Sequence, residues 1–78
     1  MSVGQLVLVD WEDSHYIPEW HRGEPIKAPL YCRSVGWVVY QGTKAITLAA
    51  HMSVEEDPQR SGEMTIPTKA ILKTRVLE

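Results

Sequence analysis

The chain has little of what several classes of protein require. Its 78 residues contain one cysteine, Cys32, and no asparagine. A single cysteine excludes an internal disulfide framework and an all-cysteine metal site, and the absence of asparagine excludes an N-glycosylation acceptor. No apolar run approaches the roughly 18 residues of a membrane span, and residues 1–5 lack the basic region of a secretory signal. We therefore expect a cytoplasmic protein without a membrane partner.

The length and composition predict one small folded domain. A chain of 78 residues that is 44% hydrophobic, with a net charge of −2, is too apolar and too weakly charged to be disordered. A domain of this size buries only about 60% of its unfolded surface, so its core is thin. Oligomerisation is a common way to add to such a small margin of stability.

Charge is segregated along the chain. Residues 1–25 carry five acidic side chains and one basic side chain, and residues 54–67 carry four and one. Residues 26–53 carry three basic side chains and no acidic one. The acidic blocks coincide with stretches that contain proline and glycine, which predicts acidic loops and basic regular elements.

Alternation of apolar side chains predicts three strands in the first two thirds of the chain, over Gln5–Trp11, Tyr31–Tyr40 and Lys44–His51. Gly36 in the second strand suggests a bend or bulge, and Gly42 is expected to supply a positive φ in the hairpin turn that follows. Between the first two strands, Asp10–Pro29 holds three prolines and is expected to contain no helix longer than one turn.

The last third is less regular. Ser53–Gly62 is a polar loop in which Ser53 and Glu56 match a capping box for a single helical turn. Met64–Ile66 forms a short strand, and the residues after Pro67 fit two structures: a helix, or one tight turn followed by a strand over Ile71–Leu77. The strand is favoured because the preceding strands would otherwise keep an unpaired edge.

These elements predict an all-β fold, a small five-stranded and strongly bent antiparallel barrel with a long loop between strands 1 and 2. The whole chain, residues 1–78, forms this single domain. Its core is expected to contain eight apolar side chains: Val7, Val9, Val38, Ile46, Leu48, Ile66, Ile71 and Val76.

Two blocks of sequence, Gly36–Leu48 and Met64–Ile71, resemble SH3-like and Sm-like small barrels. The first is similar to a bent second strand, turn and third strand, and the second to a fourth strand, one-turn link and fifth strand. The Sm-like resemblance implies a ring that binds RNA. The long segment at 12–29 departs from Sm-like proteins, which join these strands tightly, and is closer to the long acidic loop of SH3-like barrels.

Trp11–Ser14 and Ser34–Trp37 resemble elements of short uncharacterised phage and prophage proteins. That resemblance implies an accessory protein with no assigned activity.

The candidate ligand-binding residues lie in and beside the long loop: Trp11, Asp13, Tyr16 and Trp20. Aromatic faces among carboxylates suit a cationic or proline-rich ligand, because a cation binds the ring face and a polyproline helix stacks on it. The alternative is that the tryptophans fold back as a lid over a small core, the usual place for large aromatic residues.

Catalytic and metal-binding chemistry has little support. His15, His21, Cys32 and His51 lack the paired spacing of a zinc module. The chain has no nucleophile elbow and no glycine-rich phosphate loop. We therefore expect no enzyme, no cofactor and no metal site, with a small metal-binding or hydrolytic protein as the remote alternative.

The favoured hypothesis is a non-enzymatic interaction module that forms a homo-oligomer and binds a protein or peptide. Tyr31, Trp37 and Val39 share one face of their strand, whereas Val38 and Tyr40 share the other, and a small barrel encloses only one. The alternative is an Sm-like RNA-binding ring. A pI near 5.9 argues against it. Its nucleic-acid contacts would be Arg33, Lys44, Lys69, Lys73 and Arg75.

Overall fold

A computed structural model describes all residues of the chain, 1–78, as an all-β structure. Its strands are β1 (Leu6–Asp13), β2 (Leu30–Gln41), β3 (Ala45–Met52), β4 (Arg60–Pro67) and β5 (Ile71–Val76). One turn of 3-10 helix, Thr68–Ala70, joins β4 to β5. The structure has no helix that is long and apolar enough to cross a membrane.

The five strands form one antiparallel sheet in the order β4-β3-β2-β1-β5. β1 lies between β2 and β5, so that Val7 stands opposite both Gly36 and Val76. The prediction of five antiparallel strands is confirmed. The predicted barrel is not closed, because β4 and β5 do not pair and both remain free edges.

The link after Pro67 is the single turn followed by a strand, so this alternative is confirmed over the helix. The prediction of a single helical turn that begins with a capping box at Ser53 is wrong. The Ser53 hydroxyl instead donates to Glu55 Oε1 at 2.7 Å and accepts from the Gln59 N–H at 2.7 Å. These bonds close the β3–β4 loop without helical backbone.

Two glycine predictions are also corrected. The register shift in β2 falls between Val38 and Tyr40 rather than at Gly36. Gly36 is needed for close approach, since a Cβ there would lie 2.9 Å from the Ala49 carbonyl oxygen. Gly42 does not have a positive φ; a Cβ there would collide with the Tyr40 phenol.

Six of the eight predicted core side chains are buried and form one cluster: Val7, Val9, Val38, Ile46, Leu48 and Ile66. Ile71 is partly buried and packs against this cluster, whereas the prediction for Val76 is wrong, since Val76 is 47% exposed. Both belong to β5, an edge strand that has a neighbour on one side only, so its side chains are covered incompletely.

Residues 14–29, here called the arm, contain neither helix nor strand, as expected for the long loop. Every arm residue is exposed. The molecule extends 55 Å along its longest axis and 21 Å along its shortest. Its radius of gyration is 15.5 Å, against about 11.5 Å for a compact domain of this length. The arm and the strand ends that carry it therefore lie outside the core.

Leu48→Ala tests the core assignment. Leu48 is buried among the six core side chains, so its truncation leaves a cavity and is expected to reduce the free energy of unfolding by about 2–5 kcal/mol. Leu72→Ala removes the same atoms from an exposed position on β5 and is the matched control. Urea denaturation followed by circular dichroism measures both variants. Equal stability of the two would contradict the placement of Leu48.

Candidate functional site

The part of the sheet formed by β1, β5 and the first half of β2 has a second face, opposite the core, that no other element of the chain covers fully. Directly paired residues share a face, and the pairs Leu6–Trp37 and Leu8–Val35 lie on the side away from Val7 and Val9. We call this surface the outer face and define it by these residues: Leu6, Leu8, Asp10 and Glu12 of β1, Tyr31, Arg33, Val35 and Trp37 of β2, and Lys73 and Arg75 of β5.

An ion pair lies at the middle of the outer face. Arg33 Nε is 2.7 Å from Asp10 Oδ1, and Arg33 Nη2 donates to Asp10 Oδ2 at 3.3 Å, so the contact is bidentate. The hydrogen bond from Arg33 lowers the pKa of the Asp10 carboxyl, and the charges of Arg33 and Lys73 add to that effect. The same hydrogen bond raises the pKa of Arg33.

Two further cations stand beside this pair. Lys73 is paired in register with Asp10, and Arg75 with Leu8. Neither forms an ion pair within the chain. A shallow depression of about 90 Å³ is lined by Asp10, Arg33, Lys73 and Arg75. The sheet thus gathers three of the five basic residues predicted for a nucleic-acid site around a single carboxylate.

The other two basic residues lie elsewhere. Lys44 precedes β3 and Lys69 lies in the turn before β5, and both line a depression of about 350 Å³ with Thr43, Pro67 and Thr68. The Thr68 N–H donates to the Lys44 carbonyl oxygen at 2.9 Å, which holds the two loops together. The five predicted contacts therefore form two separate basic groups.

The four candidate ligand-binding residues do not form one pocket. Trp11 is half-buried, packs against the core and donates from its indole Nε1 to Ser34 Oγ at 3.1 Å. Asp13 ends β1, where its Oδ1 accepts the Ser14 N–H at 2.8 Å. Trp11 therefore belongs to the body of the domain, and Asp13 marks the start of the arm.

Tyr16 and Trp20 lie in the arm and are strongly exposed. Trp20 is 105% exposed, so no other part of the chain touches its ring appreciably. The lid alternative is correct for Trp11, which covers one end of the core, and wrong for Trp20. An aromatic ring that its own chain does not cover is available to a partner.

The groups with catalytic or metal-binding chemistry do not converge. No three histidine, cysteine, aspartate or glutamate side chains lie close enough together to hold a metal ion. Cys32 is half-buried, with its thiol 3.7 Å from the Leu30 carbonyl oxygen. His15 and His21 are exposed in the arm, and His51 is exposed on β3.

The sequence predicts that Tyr31 and Trp37 share one face of β2, but not that Leu6 and Leu8 of β1 extend that face. Leu6 and Leu8 alternate with Val7 and Val9, which take the core positions, and Val35 lies beside them across the β1–β2 pairing. The alternation of side chains in both strands indicates which residues of each strand share a face. It does not indicate the register between the strands, which places Leu8 between Val35 and Arg75.

Comparison with known proteins adds no relative to this description. No family model, no curated protein and no solved structure matches the chain. The functional argument therefore depends on the surfaces themselves.

The pKa of Asp10 is expected to lie below its usual value of about 3.9, because Arg33 stabilises the charged form. A carboxyl with a lowered pKa stabilises the fold above its usual pKa, and this contribution is lost as the pH falls through the lowered value. Arg33→Gln removes the charge and should return the titration midpoint toward the usual value. Carboxyl NMR of Asp10 measures it, and an unchanged midpoint would contradict the ion pair.

Proposed function

We propose that this chain is a non-enzymatic interaction module that self-associates and binds protein. The observation that carries the proposal is the uncovered outer face. Val35 and Trp37 are exposed there, next to the half-buried Leu6 and Leu8, and Tyr31 is exposed on the far side of the Asp10–Arg33 ion pair. Exposed apolar surface costs free energy in water at about 25 cal/mol per Å², and where apolar side chains adjoin they mark a site of association.

The thin core supports the same proposal. Only nine residues are buried, and the core cluster holds six side chains. Small domains of this kind commonly gain stability by burying further surface against another chain. Both free edges, β4 and β5, also keep backbone N–H and C=O groups that another strand can pair with.

The arm supports a contact with protein. It exposes Tyr16, Ile17, Trp20 and Ile26, and its only hydrogen bond to the rest of the domain is the one from its first N–H to the adjoining Asp13. Aromatic side chains of this type are enriched at protein interfaces and contribute strongly to affinity. No catalytic motif accompanies them, and we place the chain among binding proteins rather than enzymes.

The relation to SH3-like and Sm-like barrels forms part of the proposal. It is supported by the twelve residues of β2, with a register shift after Val38, and by the one-turn link Thr68–Ala70 before β5. An accessory protein of the phage and prophage type, present in the cytoplasm, fits a small module of this kind. The unpaired Cys32 thiol agrees with a reducing compartment.

A second candidate function is RNA binding by an Sm-like ring. It is favoured by the position of Lys44 and Lys69, which line one depression between two neighbouring loops. Two cations at one loop end are suited to phosphate contacts. The excess of acidic over basic side chains in the chain as a whole opposes this function.

Sedimentation velocity of the protein at tens of micromolar tests self-association. Because the outer face is uncovered in a single copy, we expect a species larger than the 8.9 kDa of one chain. Dilution should shift the distribution toward the monomer. A clean monomer at all concentrations would overturn the self-association part of the proposal.

Fluorescence anisotropy with a labelled RNA oligonucleotide tests the second candidate. Contacts restricted to Lys44 and Lys69 should give weak binding that falls steeply with added salt, because each phosphate contact releases counterions. The double variant Lys44→Ala with Lys69→Ala should abolish it, whereas Lys27→Ala in the arm is the control. Sub-micromolar affinity at physiological salt would rank RNA binding above protein binding.

A further inference from the structure

The arm and the outer face are two exposed apolar surfaces of the same chain. The arm exposes Trp20, fully, and Tyr16 beside it. The outer face exposes Val35 and Trp37. Neither surface is covered within the chain. Each could therefore bury its apolar side chains against the other.

Unpaired charges of opposite sign lie beside the two surfaces. Asp13, at the end of β1, and Glu19, next to Trp20, form no ion pair within the chain, and neither does Arg22 on the other side of Trp20. On the outer face, Arg33 is neutralised by Asp10, whereas Lys73 and Arg75 have no acidic partner within ion-pair distance. Complementary charge steers association and fixes the register of docking.

The arm does not lie on the outer face of its own chain. β1 and β2 remain paired as far as Asp13 and Leu30, whereas β5 pairs with β1 only between Val7 and Trp11, so the arm starts beyond the end of β5. Every arm residue is exposed, which leaves both surfaces open to a second copy.

The prolines of the arm reduce the cost of docking. Pro18 and Pro25 flank Trp20, and Pro29 precedes β2. Proline fixes φ and reduces the number of conformations that the free chain loses on binding. A segment restricted in this way loses less conformational entropy on binding, so the same contacts give a higher affinity.

We propose that the arm of one copy docks on the outer face of a second copy, with Trp20 against Val35 and Trp37, and with Asp13 and Glu19 near Lys73 and Arg75. The inference rests on the proposed self-association and assigns its interface. A reciprocal exchange about a two-fold axis closes as a dimer, and an exchange in one direction builds a larger assembly.

Paired variants of exposed apolar residues test the arm. Trp20→Ser removes the proposed central contact, and Val3→Ser, ahead of β1, is the control because Val3 is 62% exposed and belongs to neither the arm nor the outer face. Neither side chain contributes to the core, so both variants should fold. Sedimentation should show the dissociation constant rising at least about tenfold for Trp20→Ser, with no change for Val3→Ser.

Charge reversal tests the outer face. The double variant Lys73→Glu with Arg75→Glu should dissociate the assembly, whereas Lys44→Glu with Lys69→Glu makes the same change of net charge at the other basic group and should not. Adding Asp13→Lys and Glu19→Lys to the first double variant restores opposite charges and should restore association. Thermal melts followed by circular dichroism confirm that each variant is folded.

The outcomes separate this interface from the proposed function. If the wild type assembles and Trp20→Ser or the reversal at Lys73 and Arg75 leaves its mass unchanged, the docking proposal is overturned and self-association occurs through another surface. If the wild type remains a monomer, both fail. Capture of a different protein by Trp20 in a monomeric wild type would also overturn docking between copies.

Discussion

A strand has only two sides, and this constraint governs the whole molecule. Val7 and Val9 fill the core, so the residues between and beside them in β1, Leu6 and Leu8, must face the other way. The chain has no second layer to cover them. A single sheet of five strands therefore encloses six side chains on one face and leaves much of the opposite face, both edges and the arm uncovered.

Charge determines how those surfaces differ. On the outer face, the bidentate contact of Arg33 with Asp10 removes one cation and the only carboxylate among the basic groups. The remaining cations, Lys73 and Arg75, give the β5 side a positive character, whereas Asp13 and Glu19 give the start of the arm a negative one. The acidic loops and basic strands seen along the sequence thus become separate regions of one surface.

The alternation of side chains was sufficient to predict the strands. It was not sufficient to predict which strands lie next to each other or which of them form the edges of the sheet. Alternation identified β1, β2 and β3 within one or two residues, and the core face of each followed from it. The exposure of Val76, by contrast, depends on β5 being an edge. The position of Trp20 depends on where the arm points. The sequence predicts one set of five basic residues. Only the structure shows that Lys44 and Lys69 lie apart from Arg33, Lys73 and Arg75.

The central position of β1 also bears on how the chain folds. Val7 stands opposite Val76, and Leu6 accepts the Leu77 N–H, so the first strand is completed by residues near the other end of the sequence. Contacts between residues so far apart in sequence require the closure of a large loop. The chain loses conformational entropy on closing the loop before the contacts stabilise it, and this slows folding. Until β5 arrives, β1 keeps an unpaired edge next to exposed apolar side chains. During synthesis, this interval is when wrong strand pairing and aggregation compete with the native sheet.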